Sequence, residues 1–230
     1  MGEWLQVREA NRAYLAVPDS GSGPGVLVLH AWWGLAPVFT DVCDRLAAAG
    51  YVALAPSLYV GDATATTIAE AKALRDTHDE AGEAEPVAQA AVEQLLGLPE
   101  VVGTQIGVIG FSLGAYWALH LSQVRPDDVS AVVVFYGTDD GDYRTARAAY
   151  LGHFAERDDF EPLEAVRAGG QNQRGGPRRN LPCLSRHRPL VLRAQPARGV
   201  RRPSSGASLG AHAGLLERTR GLTGYELSNS

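Results

Sequence analysis

QIGVIGFSLGAYWAL, Gln105 to Leu119, is the stretch that decides how this chain folds. QIGVIGF is an apolar run of strand length. From about Gly114 to Leu121 the composition becomes that of a packed helix. Between them lies GFSLG, Gly110 to Gly114, which fits the pattern G-x-S-x-G. A serine there sits on a strained strand-to-helix turn, and the flanking glycines let the two segments pass close. The amides that follow open a helix and point toward whatever the serine attacks. Ser112 is therefore a candidate nucleophile. The competing reading is a serine in a tight turn ahead of a packing helix.

Working outward, the chain alternates buried-strand and helical patterns. WLQVREANRAYLAVP reads as an early strand or hairpin, followed by the turn-rich PDSGSGPG. GVLVLHAWWG is an apolar run bounded by glycines. APVFTDVCDRLAAAGY places Val38, Val42, Leu46 and Ala49 at helical spacing, and Gly50 stops it as a C-cap would. YVALAPSLY is another short strand. The segment from Thr64 to Gly97 is mostly helical, interrupted near Gly82 to Pro86. VSAVVVFYG follows the serine helix, AYLGHFAERDDFEP holds one more strand ending in an acidic loop, and PLEAVRA starts a helix. Such alternation predicts an α/β fold, a mostly parallel sheet covered on both faces. Chemistry in these sheets gathers at the carboxyl ends of the strands, where His30 to Trp33, Ser112, Asp158 and Asp159 fall.

The 230 residues suit one domain or two small ones, and an apolar fraction of 45% is ordinary for a globular protein. The formal charge of -5 asks for no nucleic acid. Neither a signal peptide nor an apolar run of membrane-spanning length is readable, so a soluble, cytoplasmic protein is expected. Two cysteines, Cys43 and Cys183, make no metal or disulfide framework. The averages hide a break, however. Residues 1–166 carry 9 Lys+Arg against 24 Asp+Glu, whereas residues 167–230 carry 12 Arg, no Lys and two Glu. The division is therefore into a 1–166 core and a 167–230 tail rich in Arg, Gly, Pro and Ser.

An oxyanion hole takes two amide donors. Leu113, just after the serine, supplies one, and the loop HAWWG supplies the other, assigned to Trp32. Trp33 fits a core role as well as a substrate role. His30 ends a strand, but it precedes the serine, where the order Ser, Asp, His does not put a base, so a hydrogen-bonding structural role is expected. The acid is expected from Asp158 or Asp159; a solvated acidic loop is the alternative. His153 lies inside a strand pattern and reads as a packed histidine.

Taken in order, VLVLHAWWG, VALAPSLY, IGVIGFSLGAYWAL, SAVVVFYG and GHFAERDDFEP resemble the dienelactone hydrolase family, a branch of the α/β hydrolases, over about residues 20–166. The resemblance implies a three-layer α/β-hydrolase fold, nucleophile Ser112, oxyanion donors Trp32 and Leu113, and an acid in a D-x-F-x-P setting, which picks Asp158 over Asp159. It implies a small-molecule ester or lactone substrate and neither a metal nor an organic cofactor. Well-known members of the family carry cysteine where this chain has Ser112 and glutamate where it has Ala31. A serine hydroxyl needs a general base rather than a neighbouring carboxylate, so losing thiol and glutamate together is chemically coherent.

The family would next supply a strand, a loop with the catalytic histidine in a YPGxxHxF setting, and a closing helix. None can be read after residue 166, and the composition there is expected to stay disordered. Asn180 to Pro196, NLPCLSRHRPLVLRAQP, can be encoded by codons that, shifted by one base, read TFHVYPGTGHWFFEPN, a peptide absent from the written chain. This points to a change of reading frame between about Arg167 and Arg179, with the histidine codon straddling Pro189 and Leu190. His187 in SRHRP and His212 in GAHAG lack the strand and loop context that would hold a ring against Asp158. Two other readings remain: a non-catalytic binding protein or inactive frameshifted product, and a nucleic-acid-binding fusion driven by the arginine tail, which lacks interleaved aromatics.

Overall fold

The computed structural model describes residues 2–77 and 80–154. Asp158, Asp159, Cys183, His187, His212 and the whole 167–230 segment, with the expected loss of the last strand and closing helix, lie outside the described residues.

Among the described residues, seven strands form one sheet in the order β1-β2-β4-β3-β5-β6-β7. The expected early hairpin is present as β1 (Glu3–Arg8) and β2 (Asn11–Ala16), antiparallel to one another. β2 runs antiparallel to β4 (Val52–Pro56). From β4 onward all pairings are parallel, through β3 (Gly25–Leu29), β5 (Ile106–Phe111), β6 (Val129–Phe135) and β7 (Ala149–His153).

All five residues of β3 and of β4 are buried, which explains why their sequence reads as continuous apolar runs. Neighbouring side chains serve opposite faces. Leu27 and Leu29 join one cluster with Val87, Val92 and Leu95 of α3 (Glu85–Gly97) and Ala115 and Ala118 of α4 (Leu113–Val124). The alternate Val26 and Val28 are equally buried on the other side. α1 (Pro37–Ala48) packs against β2, β3 and β4.

α1 buries Leu46 as expected, but the rest of its inward face is a neighbouring stripe. Phe39, Cys43, Leu46 and Ala47 are buried, whereas Val38 and Val42 are half-buried and Ala49 is exposed. Both stripes have helical spacing; the one that removes a phenylalanine ring from water buries more apolar area. The helix stops where expected. Gly50 takes φ 92°, its N–H donates to the Ala47 carbonyl at 2.9 Å, and Tyr51 N–H reaches back to the Leu46 carbonyl at 3.0 Å. That is the Schellman arrangement. The expected helical interruption is also present. α2 (Ile68–Thr77) and α3 are separated by a π-helical turn, Glu80–Ala84, and Pro86 falls in the first turn of α3, where its missing N–H costs no helical hydrogen bond.

The topology places the site. From β3 the chain moves to β4 on one side, then returns through α2 and α3 to β5 on the other. The direction reverses at β3, and it is at the carboxyl ends of the strands flanking such a reversal that open α/β sheets bind their ligands.

Candidate active site

Ser112 sits between β5 and α4 with φ 51° and ψ -112°, a conformation that costs an L-residue strain. The surroundings hold it there. Its N–H donates to the Phe135 carbonyl at the end of β6, at 2.9 Å, and its own carbonyl accepts from Ala115 N–H at 2.8 Å. Three glycines make the approach possible. A Cβ on Gly110 would lie 2.2 Å from the Gly114 oxygen, one on Gly114 would lie 2.2 Å from the Leu29 oxygen, and one on Gly137 would lie 2.7 Å from the Ser112 oxygen. The start of α4 therefore rests on the end of β3.

Ser112 occupies the N-cap position of α4, yet its side chain makes no capping hydrogen bond. A serine present only to start a helix would accept from an amide of the first turn. Leu113 is the first residue of α4; its N–H has no acceptor within the helix, and the helix terminus favours negative charge there.

The HAWWG loop forms a tight turn. Gly34 N–H donates to the Ala31 carbonyl at 3.1 Å, and Gly34 adopts φ 80°, with the Ala63 oxygen 2.2 Å from where a Cβ would stand. Trp32 and Trp33 are half-buried and meet edge to face at 5.8 Å. The Arg75 guanidinium of α2 lies 5.5 Å from the centre of the Trp32 ring. Ala31 is buried.

His30 is fully buried and has the structural role expected of it. Its Nε2 accepts from Leu58 N–H at 2.9 Å, which leaves the proton on Nδ1, and Nδ1 donates to the Ala31 carbonyl at 2.7 Å. With both nitrogens committed to backbone, the ring is not placed to take a proton from Ser112. His153 ends β7, half-buried and stacked on Phe135 at 4.7 Å, which agrees with a packed histidine. Phe135 stacks in turn on Phe111 at 4.7 Å, and Phe111 meets Phe39 at 5.4 Å. This aromatic row across the strand ends was not read from the sequence. Nor was Tyr59, whose hydroxyl donates to the Trp32 carbonyl at 3.0 Å. Their partners come from separate strands, from α1 and from loops, so no local pattern marks them.

The structure thus brings Ser112, Leu113 and the His30–Trp33 turn to one end of the sheet. A seven-stranded sheet with helices packed against it and a strained serine between β5 and α4 define the α/β-hydrolase fold. The model of the dienelactone hydrolase family matches residues 11–171, and the chain belongs to that family. Protein usf of Aquifex pyrophilus is 33% identical over 130 residues, 55% of this chain and 56% of that protein. The chain spans about half the length of the curated relatives it matches. Among solved structures, a dienelactone hydrolase-like promiscuous phosphotriesterase from metagenomic libraries has a TM-score of 0.77 at 21% identity, covering 95% of this chain and 97% of that one. A dienelactone hydrolase from Anabaena variabilis has a TM-score of 0.63 at 20% identity, covering 95% and 94%. These two likenesses establish the fold. Among the described residues no helix is long and apolar enough to cross a membrane.

Proposed function

We propose that this chain is a hydrolase of small carboxylic esters or lactones with Ser112 as its nucleophile. The observation that carries the reading is the strained Ser112 backbone beside a side chain that makes no cap for its own helix. Membership of the dienelactone hydrolase family supports the reaction class. Ser112 Oγ attacks the carbonyl carbon and gives its proton to a histidine. The Trp32 and Leu113 amides hold the developing oxyanion. The protonated histidine returns the proton to the leaving alkoxide, and an acyl-enzyme remains. Water, deprotonated by the same ring, then releases the acid. Asp158 stays ionised and orients the ring.

The histidine is the part that the written chain lacks. The family match stops at residue 171, inside the 167–179 interval assigned to the frame change. This supports the frame reading. The chain as written keeps only the catalysis that the oxyanion hole and binding supply. A product inactive for this reason is the second reading, favoured by the composition break. The nucleotide sequence across codons 165–215 tests both. One restored frame should yield the histidine between Pro189 and Leu190. The frame-restored enzyme should hydrolyse p-nitrophenyl esters about 10³-fold faster than the written chain, and Ser112→Ala should abolish the gain. A gene with no such codon, or turnover that survives Ser112→Ala, sinks the reading.

A further inference from the structure

We propose that His30 is a positioning residue of the oxyanion hole: through the Ala31 carbonyl it sets the direction of the Trp32 N–H. The inference rests on the reading of Trp32 as an oxyanion donor. A peptide unit is planar and trans, so its C=O and N–H point in opposite directions. Ala31 C=O and Trp32 N–H belong to the same unit. Whatever holds the carbonyl aims the amide.

The carbonyl is held twice, by His30 Nδ1–H at 2.7 Å and by Gly34 N–H at 3.1 Å. The first hold is itself anchored. His30 Nε2 accepts from Leu58 N–H at 2.9 Å, so the loop after β4 fixes the ring and its tautomer. Phe39 and Tyr59 flank the imidazole at 6.1 and 5.4 Å, and the ring is fully buried. The next peptide unit is held from the same loop, by the Tyr59 hydroxyl on the Trp32 carbonyl at 3.0 Å. Tyr59 is tied down in turn: Asn11 Nδ2 donates to its carbonyl at 3.0 Å. The peptide units before and after the Trp32 Cα are therefore both braced from Leu58 and Tyr59. Preorganised donors matter because the site does no reorientation work when charge develops on the carbonyl oxygen.

The full chain as written suits the test, because its residual turnover comes from the oxyanion hole. The probe is p-nitrophenyl butyrate, whose good leaving group makes little demand on a general acid. His30→Phe keeps a ring and removes both hydrogen bonds. It should lower kcat about 10- to 100-fold, as expected for a donor displaced by about an ångström, and leave KM within about threefold. His30→Asn, which restores a donor toward Ala31, should recover most of kcat. Tyr59→Phe should lower kcat about 2- to 10-fold, again without a change in KM. Imidazole nitrogen shifts of the parent should show Nδ1 protonated and Nε2 bare. A folded His30→Phe with parental kcat, or with a change in KM alone, overturns the inference. If His30→Phe does not fold, Tyr59→Phe decides: parental kcat there overturns it. In the frame-restored enzyme, turnover lost in the His30 variants but surviving Ser112→Ala overturns the nucleophile reading and leaves this inference standing. If the parent shows no turnover, the same variants are read in the frame-restored enzyme, where parental kcat in His30→Phe overturns the inference.

Discussion

Replacing Gly114 by alanine separates local propensity from tertiary contact. Alanine is the better helix former by about 1 kcal/mol, so α4 considered alone gains stability. The packed molecule predicts the reverse. The new Cβ would stand 2.2 Å from the Leu29 oxygen, 2.5 Å from the Leu29 carbonyl carbon and 2.7 Å from the His30 oxygen. Carbon and oxygen approach no closer than about 3.3 Å without repulsion, so the start of α4 must retreat from β3 by about 1 Å. All three atoms are backbone, and no rotamer relieves them. Overpacking costs about 1–3 kcal/mol, and a backbone shift belongs at the upper end. The net loss is about 2 kcal/mol, which at a typical slope lowers the urea midpoint by about 1 M. The same retreat displaces Ser112 and the Leu113 amide, and about an ångström there costs about 10²-fold in rate. Urea unfolding followed by fluorescence, with the rate of Ser112 labelling by a fluorophosphonate in the frame-restored enzyme, reads both effects. Gly97, at the end of α3, is the control: no atom lies within 4 Å of its Cβ position, so Gly97→Ala should gain up to about 1 kcal/mol. A Gly114→Ala protein with an unchanged or raised midpoint and parental labelling would refute the packing argument.

Three further outcomes are expected. Cys43 is fully buried, and burial, with Asp44 beside it, pushes its thiol far above the ordinary range. In a Cys183→Ser background a disulfide reagent at pH 8 should therefore leave Cys43 untouched until guanidinium unfolds the chain. At the start of α2 the Glu70 carboxylate accepts from Thr66 N–H at 2.8 Å, the Thr66 hydroxyl at 2.9 Å and Thr67 N–H at 3.2 Å, and these bonds hold its pKa below the ordinary value. The capping contribution is then complete above the unfolded glutamate value of about 4.3 and is lost as pH falls through the lower folded value. Carbon chemical shifts at residues 66–70 should show α2 fraying at acid pH, and Glu70→Ala should show the frayed shifts at neutral pH. Finally, burial and the Asp139 carboxylate, 3.0 Å from its hydroxyl, push Tyr143 well above the usual phenol range. Absorbance titration should find it un-ionised at pH 11 in the folded protein, and Tyr143→Phe should leave the lower-pH titration unchanged.

Much of the architecture was legible because each central strand is buried on both faces. GVLVL, VALAP and the AVVVF of VSAVVVF advertise themselves as apolar runs. The strand-to-helix serine was legible because Gly110 and Gly114 are required at fixed offsets, by contacts of 2.2 Å at each. The face of α1 was not legible. The expected and the observed stripes share Leu46 and a helical period, and only the sheet beneath selects Phe39 and Cys43 over Val38, Val42 and Ala49.

By itself, then, the sequence determined the alternation of strands and helices, the elbow around Ser112, and the composition break after residue 166, because periodicity, glycine spacing and composition are properties of neighbours along the chain. The sequence led to a hydrogen-bonding structural role for His30, and only the tertiary structure supplied its partners. The Leu58 amide, 28 residues away, fills Nε2 and so assigns the proton to Nδ1. The strand order decided the place of the site as well. Only when β5 returns to the far side of β3 do Trp32 and Leu113 come to the same end of the sheet. Hydrogen bonds and close contacts act across space, and a linear pattern holds no record of which distant backbone will answer a given side chain.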